Sequence, residues 1–307
     1  MNTVEYTDTK FPDNTKSKYD LISKRLLLNG KPTKAQAISY KGQFMGAFGL
    51  GYTVVAHEDL YNTAERIAKK FNCVAQPTQS TKKQRWWHKA DFGNAELSET
   101  GGQMIATFLD ESNGVDVTGE GDWVKAGFTI KGSIDGSSAT KIFPATERKF
   151  CFNRMYHLAS VGEVHNETIR TLNAEIQNDE ADLNLMKIRW NHSKNFKIED
   201  FANSIEGALN SGKKLLEKYQ TFKNAKVTQT MADDIHESLG KRFSKELDWL
   251  EIDKDEVKLS AVDKWKAFND ITRRLTHDDI SKSMAGILNR YKQVDRIFTE
   301  VPLVTTQ

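Results

Sequence analysis

The chain has very little cysteine, no long apolar run and almost no excess charge of either sign. Only two of its 307 residues are cysteine, which is too few for a disulfide framework or a cysteine metal cluster. Cys73 and Cys151 are therefore predicted to be reduced and buried. No segment approaches the roughly 18 consecutive apolar residues of a membrane span, and the N-terminus lacks the apolar centre of a signal peptide. A cytoplasmic protein without a membrane partner is expected.

The near balance of charge limits how the chain can bind a polyanion. Lysine and arginine number 44 against 42 aspartates and glutamates, which gives a formal net charge of +2. A nucleic-acid surface must therefore come from cations gathered in one place, and not from an overall excess. The aromatic content of 10% exceeds that of disordered chains and predicts a packed core.

Hydrophobic periodicity predicts strands and helices in the first half of the chain. A short helix is expected over residues 18–30, ended by Asn29-Gly30, because apolar residues recur there at helical spacing. Alternation broken by glycines over 35–55 predicts two strands joined by a turn at Lys41-Gly42, and residues 57–71 predict an amphipathic helix. Further strands are predicted over 101–112, 123–134 and 139–155, with turns at 112–114 and 135–138.

Beyond residue 160 the strand pattern gives way to helical periodicity. Helices are predicted over 165–187, 197–223, 231–250, 261–275 and 278–298. The expected fold class is α+β: an antiparallel β-sheet with a packed helix, in the order β-β-α-β-β-β, followed by a helical C-terminal half. The predicted division is a flexible arm (1–16), an α+β nucleic-acid-binding core (17–160), a helical region for oligomerisation or further DNA contacts (161–300) and a tail (301–307).

The chain lacks the motifs that identify an enzyme. Gly207–Lys213 fits G-x-x-x-x-G-K, but Lys214 replaces the Ser or Thr that holds magnesium. The segment also continues a helical period, so it is predicted to be helix interior. The histidines, among them His157 and His165, lack the spacing of a zinc pair. We therefore expect no catalytic residue, no metal and no cofactor, while a nuclease with dispersed carboxylates stays an alternative.

One segment, KKQRWWHKA at residues 82–90, places two adjacent indoles among four cations. Single-stranded nucleic acid requires that mixture, because cations follow the phosphates while aromatic faces stack on bases. As a strand, the segment would turn Trp86 inward and Trp87 outward. As a loop or hairpin projecting from the sheet, it would leave at least one indole for a base or a neighbouring subunit.

A second basic and aromatic group is expected on the strand predicted over 139–155. Lys141, Arg148 and Arg154 would share one face with Phe150 and Phe152, unless Pro144 shifts the register. The alternative is that the phenylalanines belong to the core and the cations form a solvated rim. The cations of this β block are Lys125, Lys131, Lys141, Arg148, Lys149 and Arg154.

Residues 132–155 (GSIDGSSATKIFPATERKFCFNRM), followed by KIRWNHSKNFKIEDF at 187–201, resemble the phage/plasmid-like domain-of-unknown-function family. Upstream, GYTVVAHEDLYNTAERIAKKF and GGQMIATF also match that family's pattern, and the resemblance covers about residues 40–225. The matched positions include Asp135-Gly136-Ser137, Pro144, Arg148, Cys151, Asn153, Arg189 and His192. The chain departs from the pattern where Trp190-Asn191 separates Arg189 from His192 and where Ser193 replaces a threonine.

Through this family the chain is similar, more remotely, to the single-strand annealing (Redβ, RecT, Erf, Sak) recombinase superfamily. That resemblance implies a ring or filament of identical subunits that anneals complementary strands without ATP. We therefore hypothesise an ATP-independent single-stranded DNA binding and annealing protein of a phage, virus or plasmid, acting in recombination or replication in the host cytoplasm. The alternatives are a metal-dependent nuclease and a non-enzymatic structural or regulatory interaction protein of a mobile element.

In this hypothesis, Trp86, Trp87 or Tyr40 stacks on bases while cations hold the backbone of one strand. The predicted DNA-binding residues are Lys82, Lys83, Arg85, Trp86, Trp87, Lys89, Lys141, Arg148, Lys149, Arg154, Arg189 and His192.

Overall fold

The computed structural model describes residues 4–7, 19–50, 52, 54–77, 87–137, 140–149, 153–157, 189–190, 198–253, 256–277 and 284–299. Strands occupy most of the described residues before 160 and helices most of those after 197. The predicted α+β class with a helical C-terminal half is therefore confirmed. Cys73 is buried with a free thiol, as predicted, whereas Cys151 and the helix predicted over 165–187 lie outside the described residues.

A four-stranded antiparallel sheet begins the fold and corrects one prediction. The segment predicted to be a helix over 18–30 contains a strand, because its residues pair with one strand on each side. Asn29 and Gly30 have φ angles of 52° and 71°, the backbone of a two-residue hairpin turn, so this dipeptide joins two strands and does not end a helix. The turn predicted at Lys41-Gly42 is confirmed. The strands are β1 (Val4–Thr7), β2 (Leu21–Leu28), β3 (Lys31–Tyr40) and β4 (Gln43–Gly49).

A larger antiparallel sheet of eight strands follows. Three long strands form its centre: β8 (Gln103–Asp116), β9 (Trp123–Ser133) and β10 (Thr140–Arg148). Five short strands flank this centre, three on the side of β8 and two on the side of β10. Next to β8 lie β5 (Cys73–Ala75) and β7 (Glu96–Ser98), with β6 (Trp87–Lys89) paired to β7; next to β10 lie β11 (Asn153–Tyr156) and β12 (Arg189–Trp190).

Two details of this sheet differ from the predictions. The segment predicted as one strand over 139–155 is an antiparallel pair, in which Arg148 of β10 lies opposite Asn153 of β11. The turn predicted at 112–114 lies within β8, at a register shift between Leu109 and Gly114. The chain turns later, where the Asp116 carboxylate accepts the backbone N–H groups of residues 118, 119, 121 and 122. A side chain that binds its own loop in this way competes with continued strand pairing.

Helices follow the predicted order in the second half. The helix predicted over 231–250 ends at Leu239, and a short hairpin that the sequence did not predict begins at Leu250. The described helices are α1 (His57–Lys70), α2 (Ile198–Phe222), α3 (Gln229–Leu239), α4 (Lys241–Ser244), α5 (Lys264–His277) and α6 (Met284–Thr299), and the hairpin consists of β13 (Leu250–Asp253) and β14 (Glu256–Leu259).

Helices α1 and α2 cover one face of the large sheet, which we call the helix face. Phe128 and Ile130 of β9 share a buried cluster with Leu60 of α1 and Ile205 of α2. Farther along the same strand, Val124 belongs to a second cluster that includes residues of α2, α5 and α6. The strands of the first half and the helices of the second half thus share their hydrophobic core.

Gly212 allows α2 to cross the sheet closely. Its position also shows what the segment Gly207–Lys213, which fits the phosphate-loop pattern, forms in the structure. It lies inside the helix, and a Cβ there would stand 3.1 Å from the Gly127 carbonyl oxygen and 3.3 Å from the Ala126 Cβ. The predicted helix interior is therefore confirmed. Gly127 is equally restricted, because a Cβ there would overlap the Phe108 carbonyl oxygen and stand 2.8 Å from the Leu109 Cα.

We predict that Gly127→Ala lowers the free energy of unfolding by about 3 kcal/mol, because the backbone of β8 cannot yield to the added methyl group. Gly49→Ala is the matched control, since a Cβ at Gly49 meets nothing within 4 Å; a change within about 0.5 kcal/mol is expected for it. Urea unfolding measures both. Equal stability of the two variants would contradict the close approach of β8 and β9.

Candidate nucleic-acid interface

Six strands of the large sheet place one residue each in a single cross-strand row. We call it the basic row, and it consists of Arg189, Lys141, Lys131, Ile105, Glu96 and Lys89. Neighbouring strands lie about 4.8 Å apart, so the row spans about 24 Å. Three predicted DNA-binding residues, Lys89, Lys141 and Arg189, are thereby aligned although they are far apart in the sequence.

The row lies on the face of the sheet opposite α1 and α2, which we call the polar face. Residues that stand opposite each other on paired strands share a face. Lys131 therefore faces away from Ile130, whose side chain packs in the helix-face core. Nearby on the polar face, the Thr107 and Thr129 hydroxyls form a hydrogen bond of 2.8 Å. The described polar face carries Trp87, Lys89, Glu96, Thr107, Lys125, Thr129, Lys131, Lys141, Phe143, Glu147, Arg154 and Tyr156.

Trp87 and Tyr40 are buried, so the stacking roles predicted for them do not fit their positions. Trp87 is 7% exposed and belongs to the same buried cluster as Ile105 and Phe143, and the prediction that it points outward is wrong. Tyr40 is 2% exposed, and its hydroxyl donates to Oε1 of Glu58 at 2.7 Å. These two rings contribute to packing rather than to an open aromatic platform.

Arg154 is also part of the interior and not of an exposed basic surface. Its guanidinium is 2.8 Å from Oε2 of Glu147, and both side chains are buried. The guanidinium also donates to the Pro77 carbonyl oxygen at 3.2 Å. Burial raises the pKa of Glu147, and the charge of Arg154 opposes that rise. We therefore assign Arg154 to the stability of the fold, because its charge is already compensated.

Arg148 lies on the other side of the sheet from Lys141, so the face predicted to carry Lys141, Arg148 and Arg154 together does not exist. The two residues are seven positions apart in one strand, and an odd separation places side chains on opposite faces. Arg148 pairs through Nε with Asp122, which also accepts a hydrogen bond of 2.8 Å from the Trp265 indole. Lys149, the next residue, is exposed.

Arg148 lines a cavity of about 710 Å³ between the β8–β9 turn and α5. Its lining includes five basic and five acidic side chains, so the cavity has no net charge to attract a polyanion. Asp270 in this lining accepts from the Trp249 indole at 3.2 Å and from Arg274. The charges here hold the turn, the hairpin and α5 together.

A smaller cavity, of about 240 Å³, lies at the Lys89 end of the polar face. Lys41 lines it and pairs with Asp91 at 2.8 Å and, more weakly, with buried Glu58 at 3.4 Å. Behind it, burial lowers the pKa of His57 to about 4, so this imidazole is neutral near pH 7 and its Nε2–H donates to the Gly101 carbonyl oxygen at 3.0 Å. His88 and Lys89 add exposed basic groups at the rim.

A buried polar network on the helix face was not predicted from the sequence. His157 contacts Asp295 through Nδ1 at 3.1 Å and the Tyr219 hydroxyl through Nε2 at 2.8 Å, and Thr146 joins the same group. Each of these four residues is at most 2% exposed, so a substrate cannot reach them. The network ties α2 and α6 to the sheet. The only signal in the sequence is that Asp295 lies within an apolar helical period.

Several predicted residues lie outside the described part of the chain. They are Lys82, Lys83, Arg85, Trp86, Phe150, Phe152 and His192. The side chain of Arg189 is likewise outside the description, which gives its register position opposite Lys141. Among the described residues, no group of three His, Cys, Asp or Glu side chains could hold a metal ion, and no described helix is long and apolar enough to cross a membrane.

We predict that Arg154→Ala lowers the free energy of unfolding by about 3–5 kcal/mol, because it leaves the Glu147 carboxylate buried without its partner. Lys149→Ala, which removes an exposed cation close by, is expected to change it by less than about 0.5 kcal/mol. Urea unfolding at neutral pH measures both variants. A small effect of Arg154→Ala would show that the pair does not stabilise the fold.

Comparison with known proteins adds no relative. The chain matches no protein-family model, no curated protein and no solved structure. The assignment of a function therefore rests on the residues themselves and on their arrangement in the sheet.

Proposed function

We propose that the chain binds single-stranded nucleic acid across the polar face of the large sheet and promotes annealing of complementary strands without ATP. The observation that carries the proposal is the basic row. Arg189, Lys141 and Lys131 occupy matched positions on three adjacent strands, and Lys89 ends the row on the far side. Cations in such a line can follow the phosphates of one strand.

The length of the row suits a short single-stranded site. Its span of about 24 Å compares with the smallest site sizes, about four nucleotides, of folds that bind single strands without sequence preference. The charges are uneven along it, because Glu96 stands between Lys131 and Lys89. Lys131, Ile105 and Glu96 in the middle of the row are buried, so a strand would contact the row at its two ends, at Lys141 and Arg189 on one side and at Lys89 on the other.

The far end of the row adds a second set of contacts. His88 and Lys89 are exposed beside the cavity of about 240 Å³ that Lys41 also lines. They are the described end of the basic segment KKQRWWHKA, whose cations at 82–85 lie outside the described residues. Because Trp87 and Tyr40 are buried and cannot stack on bases, contacts to phosphates would supply most of the affinity for a nucleic-acid strand.

Annealing and self-association extend the proposal beyond the row. Contacts to the backbone alone leave the Watson–Crick edges of a bound strand free for its complement. The resemblance to the annealing superfamily supports a ring or filament of identical subunits, in which the rows of neighbouring subunits would bind one continuous strand. No feature of the basic row requires nucleotide hydrolysis.

We predict that the chain binds a labelled single-stranded oligonucleotide with log K falling linearly as log salt rises, by about 0.7 for each phosphate contact. Lys89→Met and Lys141→Met should each weaken binding at low salt and reduce the slope by about 0.7. Lys70→Met is the control, because Lys70 is an exposed lysine on α1, at the helix face.

The same titration tests annealing when the complementary oligonucleotide is added. Faster duplex formation than in the absence of protein is expected. Absence of binding at low salt, or binding that Lys89→Met and Lys141→Met leave unchanged, would overturn the proposed interface. Binding without faster duplex formation would contradict annealing and leave strand coating as the function.

A further inference from the structure

The four-stranded sheet of β1–β4, which we call the small sheet, has one face outside the hydrophobic core. Its other face packs on the rest of the protein through Ile38 and Tyr40, which share a buried cluster with Ile134. Ser39 lies between them in β3 and therefore points the opposite way, to what we call the outer face. None of the residues on the outer face belongs to a buried cluster. By strand register it carries Ile22, Lys24, Leu26, Leu28, Lys31, Ala35, Ala37, Ser39, Phe44 and Ala47.

Large apolar side chains are concentrated on the outer face. Phe44 is 63% exposed, and Ile22 and Leu28 are each 44% exposed. These three are half of the six exposed large hydrophobic residues in the part of the chain that the structure describes. Single apolar residues scattered over a surface are ordinary, whereas several on one face indicate a binding surface.

The outer face forms a shallow trough along β3. Between residues 35 and 39, β3 presents only Ala35, Ala37 and Ser39 on this face. In the row that contains Ser39, the flanking strands present the much larger Ile22 and Phe44. Neighbouring strands lie about 4.8 Å apart, so these two walls stand about 10 Å from each other. A floor of small side chains between apolar walls suits flat rings.

Charge distinguishes between the possible occupants of the trough. Residues 19–50 contain five basic side chains and one acidic side chain, Asp20, although the whole chain is almost balanced. Lys31 and Lys34 are exposed, and no acid in the described ranges pairs with either of them. A second copy of this face would bring like charges together, whereas a polyanion is attracted to it. The basic residues are Lys24, Arg25, Lys31, Lys34 and Lys41.

We infer that the outer face of the small sheet is a second surface for single-stranded nucleic acid, on which Phe44 stacks on a base and Lys31 contacts a phosphate. Antiparallel sheets with exposed aromatic side chains bind unpaired bases in this way, and an aromatic face accepts any base. The inference shares the class of ligand with the proposed function but does not use the basic row. With a strand on each sheet, one subunit would hold two strands at once, as annealing requires.

Substitutions of Phe44 test the stacking contact. In titrations with a labelled single-stranded oligonucleotide at low salt, Phe44→Leu keeps the apolar bulk but removes the ring, and should weaken binding about fivefold or more. Phe44→Trp keeps a ring and should keep the affinity. An abasic oligonucleotide of equal length has nothing to stack, so the wild type and Phe44→Leu should bind it equally. Val74→Ala, which truncates an exposed apolar side chain on the large sheet, is the control and should change neither affinity.

Substitution of Lys31 tests the phosphate contact. The slope of log K against log salt should fall by about 0.7 in Lys31→Met and stay unchanged in Lys70→Met. An unchanged slope in Lys31→Met, together with equal affinity of the wild type and Phe44→Leu, would overturn this surface and leave the basic row untouched. Weaker binding in both variants, with no effect of Lys89→Met or Lys141→Met, would instead contradict the basic row and support the small sheet as the binding surface.

Other occupants of the outer face predict different results. Sedimentation without oligonucleotide that shows a dimer, broken by Phe44→Asp, would assign the face to a second copy of the chain. Co-sedimentation with phosphatidylserine vesicles that Phe44→Asp abolishes would assign it to an anionic membrane. Either result, with oligonucleotide binding unchanged in Phe44→Asp, would overturn the inference.

Discussion

The register of the three central strands, β8, β9 and β10, is the constraint on which the rest of the structure depends. Side chains alternate between the two faces of a strand, so a slip by one residue exchanges the faces. In the observed register Phe108 stacks on Phe128 with ring centroids 5.0 Å apart, beneath the helices, while Lys131 meets Lys141 on the other side. A slip of β9 would place ammonium groups against α1 and α2. One set of backbone hydrogen bonds thus determines both the core and the candidate interface.

Side chains on both faces of the sheet hold that register. On the polar face, the hydroxyl bond between Thr107 and Thr129 joins β8 to β9, and the ion pair of Glu147 with Arg154 joins β10 to β11. On the helix face, α2 crosses where Gly212 lies against Gly127. Since cross-strand pairs and a close crossing each tolerate only one alignment, they act together although each contributes little.

The sequence predicted those parts of the fold that depend on local patterns. The helix at 57–71, the turn at Lys41-Gly42 and the long helix after residue 197 each follow from a period or a turn dipeptide within a few residues. Asn29-Gly30 shows the limit, because the same two residues can end a helix or close a hairpin, and only the pairing of β2 with β1 and β3 decides.

The candidate site depends on pairing between distant segments, which one sequence does not reveal. Lys89, Lys141 and Arg189 were each singled out as basic residues, but their alignment requires the registers of six strands. Lys131 was only one cation among several, because neither its burial nor its neighbour is visible in the sequence. Conversely, Trp87 and Arg154 were predicted to lie on a nucleic-acid-binding surface, because one is aromatic among cations and the other is basic. The packing of β6 and β11 buries both side chains.

Cations at the β11 end of the polar face and cations at its middle have different neighbours. Arg154 lies where β11 meets α5 and α6, and there Glu147 compensates its charge while Tyr291 binds its backbone carbonyl. At the middle of the face, Lys131 and Lys141 face each other beside apolar Ile105. A chain with 44 basic and 42 acidic residues has acids enough to pair almost every cation. The charges that meet on this face are therefore set by the residues that the strand register places opposite each other, and not by the near balance of charge in the whole chain.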